Sequence, residues 1–168
     1  MAQVSQFAAL LFLAPALALA QAAPHADDAP VQPLRFSHKT HLSLKLVCAD
    51  CHTSSETGEE MSYPPARKCM FCHVAVAKDR PDIQKLARFA KDKEDIPWVR
   101  VYSIPDWVFW SHRTHLEAKV ACEACHGRVQ EMEVTSRATG VTTMGGCVSC
   151  HQKSGGPTGC LACHEGKH

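Results

Sequence analysis

Three kinds of hydrophobic pattern alternate along the chain. The first is an unbroken apolar run, FAALLFLAPALALA at residues 7 to 20, ending in small residues. Ala18-Leu19-Ala20 fits the small-x-small pattern of an export signal cleaved after residue 20, so 1–20 is read as a signal peptide. The run contains Pro15 and is short for a membrane span. Residues 21–34, with Pro24, Pro30 and Pro33, read as an extended Pro-rich leader. The second kind is helical. DRPDIQKLARFAKDKED, residues 79 to 95, places Ile83, Leu86, Ala87 and Ala90 on one face, with Asp79 as a cap and Pro81 in the first turn. The third is IPWVRVYSIPDWVFW at 96 to 110, apolar but broken by Pro97 and Pro105, which predicts an extended segment or a short strand. GGPTG at 155 to 159 reads as a turn. Elsewhere periodicity is weak. The pattern predicts a mainly α chain with extensive coil, short helices and little β.

Composition narrows the class. Eighteen Lys and Arg balance seventeen Asp and Glu, so net charge gives no electrostatic case for nucleic acid. Ten cysteines in an exported chain would ordinarily suggest a disulfide framework. Their spacing suggests something else. Every cysteine lies in a C-x-x-C pair followed by histidine: Cys48-Cys51-His52, Cys69-Cys72-His73, Cys122-Cys125-His126, Cys147-Cys150-His151 and Cys160-Cys163-His164. Disulfides give no reason for the histidines. Structural zinc would need two pairs per ion, and five is odd. C-x-x-C-H is the attachment pattern for c-type haem: two thiols form thioethers to one macrocycle, and the adjacent histidine ligates the iron. Five covalently attached haems are expected, with His52, His73, His126, His151 and His164 as proximal ligands.

An internal repeat accompanies the motifs. RFSHKTHLSLKLVCADCH, from residue 35, aligns without gaps on FWSHRTHLEAKVACEACH, from 109. His38 matches His112 and His41 matches His115, each 74 residues on; Cys69 and Cys147 are separated by 78. Residues 35–168 therefore read as one domain of two two-haem repeats, 35–78 and 108–152, with a fifth site at 160–164. His38, His41, His112 and His115 are the expected distal ligands. Each pair is spaced i, i+3 on one helix turn, too far apart to serve one iron, so the two members should reach different haems. For the fifth distal position His168, His25, Met144, Met132 and Met61 are candidates, the alternative being an iron open on one side. The three tryptophans, all at 98 to 110, should pack on porphyrin faces, with a partner-docking patch as the alternative. At about thirty residues per haem the chain cannot build a separate hydrocarbon core, so the porphyrins should supply the apolar mass.

Phe36-Ser37-His38-Lys39-Thr40-His41 before Cys48, and Trp110-Ser111-His112-Arg113-Thr114-His115 before Cys122, resemble the class III multihaem c-type cytochromes, the c3 and c7 group. That resemblance implies short helices wrapped around a haem core. It implies that His38 serves the His52 haem and His112 the His126 haem, with His41 and His115 reaching across to others. The stretch from Ile96 to His126, with Met144-Gly145-Gly146-Cys147, is similar to the pentahaem cytochrome subunit of alternative complex III, which passes electrons from quinol to periplasmic carriers. The function this implies is periplasmic electron transfer through mostly bis-histidine, low-potential haems, by a soluble or peripheral carrier with redox-protein partners and no catalytic residue of its own. The alternatives are a haem enzyme reducing a small molecule at an open iron, and a subunit of a membrane quinol-oxidising complex.

Overall fold

A computed structural model describes residues 29–53, 58, 60–138 and 140–164. The expected signal segment, most of the expected leader, His25 and His168 lie outside the described residues. Eight helices occur among them: α1 (His38–Leu42), α2 (Cys48–Cys51), α3 (Ala66–His73), α4 (Pro81–Asp92), α5 (His112–Glu117), α6 (Glu123–His126), α7 (Met144–Ser154) and α8 (Leu161–His164). A single 3-10 turn covers Val129–Glu131. No strand is formed among the described residues, and none of their helices is long and apolar enough to cross a membrane.

The one long helix is shorter than the sequence suggests. α4 starts at Pro81, whose fixed φ and missing N–H suit the first helical position, and Arg80 rather than Asp79 stands at the cap. It ends at Lys93, which is left-handed at φ 56°. The expected short helices also sit differently. They run through the C-x-x-C-H motifs instead of following them, and only α7 extends well beyond its histidine. The reason lies in spacing: a helical turn puts residues three apart on one face, so both thiols of a pair project to the same side. Ile96 to Trp110 forms no strand and is broken by a turn at Asp106 and Trp107, where Val108 N donates to Pro105 O at 2.9 Å.

The hydrocarbon core is very small. Leu34, Ala66, Leu86 and Ile96 are its buried members, with Met70, Ile83, Phe89, Ala90 and Trp98 packed around them where α3 meets α4. Leu34 belongs to the expected leader, yet it is buried. Gln32 also pairs with the Val99 backbone in both directions, at 2.7 and 2.9 Å, and Lys85 donates to the Pro33 carbonyl. The fold therefore begins before residue 35. Large apolar side chains in or beside the cysteine motifs are left outside this core: Leu46, Val47, Phe71, Val74, Met144 and Leu161 are all exposed.

The contacts that join the repeats include two sets of hydrogen bonds. The segment after the 3-10 turn clamps α1: Lys39 N donates to Met132 O at 3.1 Å, Ser37 Oγ to Glu133 at 2.7 Å, and Lys39 pairs with Glu133. On the other side, the Gly58 carbonyl accepts from Ser111 Oγ at 3.1 Å and Arg113 N at 3.0 Å. Ser37 caps α1 through Thr40 N, but Ser111, its counterpart in the repeat, turns its hydroxyl to Gly58 instead.

Candidate haem-binding site

None of the ten cysteines is paired in a disulfide. Among the described residues no three His, Cys, Asp or Glu converge as a zinc site requires. The histidines converge in twos. The ring centres of His38 and His52 are 6.3 Å apart, those of His112 and His126 6.3 Å, His41 and His73 6.1 Å, and His115 and His151 6.1 Å. Two imidazoles bound on opposite sides of one metal, through bonds of about 2.0–2.1 Å, would place their ring centres about 6.2–6.4 Å apart. Each pair joins a histidine of α1 or α5 to a motif histidine. His38 and His41 face motifs one and two; His112 and His115 face motifs three and four. The members of each i, i+3 pair thus face different motif histidines.

Ring orientation fits the same use. A metal-bound histidine usually donates its other ring N–H to a fixed acceptor, which sets the tautomer. Nδ1 of His41 lies 2.8 Å from Ser37 O, that of His115 2.8 Å from Ser111 O, His52 2.9 Å from Ser62 O, His73 2.9 Å from Val76 O, and His151 2.6 Å from Pro157 O. His38 Nδ1 lies 2.8 Å from the Thr135 hydroxyl. A backbone carbonyl can only accept, so each of the five carbonyl partners takes the Nδ1 proton and turns Nε2, the nitrogen a metal would use, away from it. Burial, then His52, His41 and His126 in turn, hold the His38 pKa down to about 4. Burial first, then His112 and His52, lowers that of His126. Both rings are neutral at pH 7, as metal ligation demands.

Aromatic side chains brace these histidines. Phe36 packs on His38 at 4.9 Å and His41 at 4.3 Å; Trp110 packs on His112 at 4.2 Å and His115 at 5.5 Å. Tyr63 and Tyr102 meet His52 and His126 edge-on, at 6.1 and 4.8 Å, and Arg100 and Arg137 lie over the two tyrosines. The sequence reading singled out the aromatic before each histidine pair without giving it this job. The repeat carried the signal, since Phe36 and Trp110 occupy equivalent positions. Trp98, between the Phe36 and Tyr63 rings, has its indole N–H buried without a partner.

The fifth motif differs. His164 has the Trp107 ring as neighbour, with centres 5.2 Å apart and planes at 26°, and Phe109 N donates to Cys163 O at 2.6 Å. Trp107 is not a ligand type, and His25 and His168 are outside the described residues. Of the methionine candidates, Met144 opens α7 with an exposed side chain, Met132 ends the 3-10 turn, and Met61 is half-buried after the first motif.

The thiols form a sequence in space. Cys69 is raised by burial and then by the Cys51 thiol. Cys48 is raised by burial and then by Cys122, to which it is hydrogen-bonded. Cys125 is raised by burial, then by Cys150 and Cys147, and Cys147 by burial, then by Cys163. Motif two therefore neighbours motif one, one neighbours three, three neighbours four, and four neighbours five.

No family model matches the chain. Over 161 residues it is 26% identical to the multihaem cytochrome c subunit of the menaquinone reductase of Nitratidesulfovibrio vulgaris (strain Hildenborough), an alignment covering 80% of this chain and 77% of that protein. This similarity supports a multihaem cytochrome c, with covalently bound haem c.

Proposed function

We propose that the chain is an exported pentahaem c-type cytochrome that transfers electrons, with four bis-histidine haems and a fifth ligated by His164. The observation that carries this is the set of four histidine pairs at 6.1–6.3 Å, each ending on a C-x-x-C-H histidine. When bound, haem c supplies a one-electron couple; histidine on both sides gives lower potentials than methionine and histidine. The ten sulfurs would hold the macrocycles; the Nδ1 partners fix the histidine rings that would ligate iron, and Phe36, Trp110, Tyr63 and Tyr102 brace those rings. Motif two adjoins one, one adjoins three, three adjoins four and four adjoins five, so each haem would have a neighbour. Such adjacency suits passing electrons between haems. The short helices and the ligand-bearing turns ahead of motifs one and three support a place near the c3 and c7 group.

The similarity to a menaquinone reductase subunit favours a quinone-linked partner complex over a free-standing carrier, and the N-terminal apolar run with its small-x-small end supports a periplasmic working compartment. The chain has no role here as an enzyme on its own. Mass spectrometry of the intact, exported protein tests the reading. Five haems add about 3 kDa, roughly 0.6 kDa each. A colourless protein at the mass of the bare chain, with bridged cysteines or bound zinc, contradicts it.

A further inference from the structure

Six of the histidines assigned to iron have a defined Nδ1 partner, and one of the six is unlike the rest. His41, His52, His73, His115 and His151 each face a backbone carbonyl. The acceptors for His41 and His115 come from their own helix turn, four residues back. His38 faces a side chain ninety-seven residues away, Thr135 Oγ1, at 2.8 Å. That side chain follows the third motif and belongs to the second repeat. Its segment is anchored: Met132 O and Glu133 hold α1 from the same side, Ser136 is buried, and Arg137 donates twice to Val101 O.

The geometry points to Thr135 as a positioning residue for His38, supplied by the second repeat, that sets the potential of the first haem site apart from the other bis-histidine sites. This rests on the proposed ligand pairs. With Nε2 on iron, His38 Nδ1 carries the proton and must donate, and the threonine oxygen accepts. A hydroxyl oxygen holds less negative charge than an amide carbonyl oxygen and draws the Nδ1 proton less. The ring is then a weaker electron donor to iron, the ferric state is less favoured, and the potential stands above that of a carbonyl-backed site. The site lies where Cys48 meets Cys122, so the residue acts at the junction of the two repeats.

The test is a spectroscopically monitored redox titration of the purified holoprotein. Thr135→Val keeps the shape and removes the acceptor; Thr135→Ser keeps the oxygen. The component belonging to this site is identified as the one displaced most in His38→Met. In Thr135→Val that component should move to higher potential while the others hold, with haem content by mass unchanged, and Thr135→Ser should return it toward wild type. A Thr135→Val titration superimposable on wild type overturns the proposal. So does a uniform shift of all components, or haem loss in both variants, which would mark a merely structural contact. Failure of the underlying ligand reading is seen separately, in wild-type protein, as the absence of low-spin ferric haem.

Discussion

Replacing Gly156 by alanine should disturb the fourth haem site selectively. A Cβ there would lie 2.9 Å from His151 Cγ, 3.1 Å from Cδ2 and 3.2 Å from Cβ. Carbon–carbon contacts settle at about 3.5–4.0 Å, so the ring must retreat by about half an ångström. It has little freedom to do so. Its Nδ1 is held by Pro157 O at 2.6 Å, Gly156 N donates to His151 O at 2.9 Å, and the proposed iron bond holds Nε2. Overpacking of this kind costs about 1–3 kcal/mol. Lengthening the Nδ1 hydrogen bond adds roughly 1 kcal/mol, for a total of about 2–4 kcal/mol. For a chain of this size that lowers Tm by roughly 4–15 °C. Two neighbours serve as controls. Gly159→Ala meets nothing within 4 Å and should be neutral. Gly155→Ala has open space but sits at φ +75°, so it should cost about 1–2 kcal/mol without touching the haem. The assays are thermal melting followed in the Soret band and EPR of the ferric protein. Gly156→Ala should lose stability and alter one low-spin signal; Gly155→Ala should only lose stability. If Gly156→Ala melts with Gly159→Ala and keeps an unaltered spectrum, the reasoning about His151 is refuted.

Other expected outcomes bear on different parts of the molecule. Gly58→Ala, at φ +72° with its Cβ driven into the Arg113 side chain, should cost about 2–4 kcal/mol from backbone strain and overpacking together; denaturant unfolding would show it, and a change within about 0.5 kcal/mol would mean this contact between repeats is dispensable. Leu86→Ala, in the small core with a side chain 4% exposed, should cost about 2–3 kcal/mol yet leave the haem spectrum intact, as equilibrium unfolding and EPR together would reveal. The His41 and His73 rings are twisted by 59°, against 6° to 29° in the other three pairs. The second site should therefore give a low-spin EPR signal with its own g anisotropy, lost in His73→Met; loss of a signal shared by all sites would count against the distinction.

The motif chemistry was legible in the sequence because it is local. Cys-x-x-Cys-His needs only one helical turn, and the two S-H-x-T-H stretches repeat at one offset. What depends on chain crossing was not legible. Nothing in the sequence tells His52 that its Nδ1 partner is Ser62 O, or His38 that its own is Thr135, because those contacts are set by loops and by the packing of one repeat on the other. Leu34 and Gln32 were hidden by the prolines around them: local composition reads as leader, while burial against Ile96 and Leu86 is a tertiary matter. Asp79 looked like a cap by residue type, but Pro81 fixed the helix start one turn position later, behind Arg80. The helices also run through the motifs because the thiols must share a face, a constraint stronger than the low helix propensity of Cys and Gly.

The most direct test of the account is EPR spin quantification of the fully oxidised, haem-loaded protein. Four of the five irons should be low-spin ferric with two nitrogen axial ligands, and any high-spin component should amount to no more than the single iron at His164. A spectrum in which high-spin iron accounts for two or more haems would mean that the paired histidines do not straddle metal, and the account would be wrong at its centre.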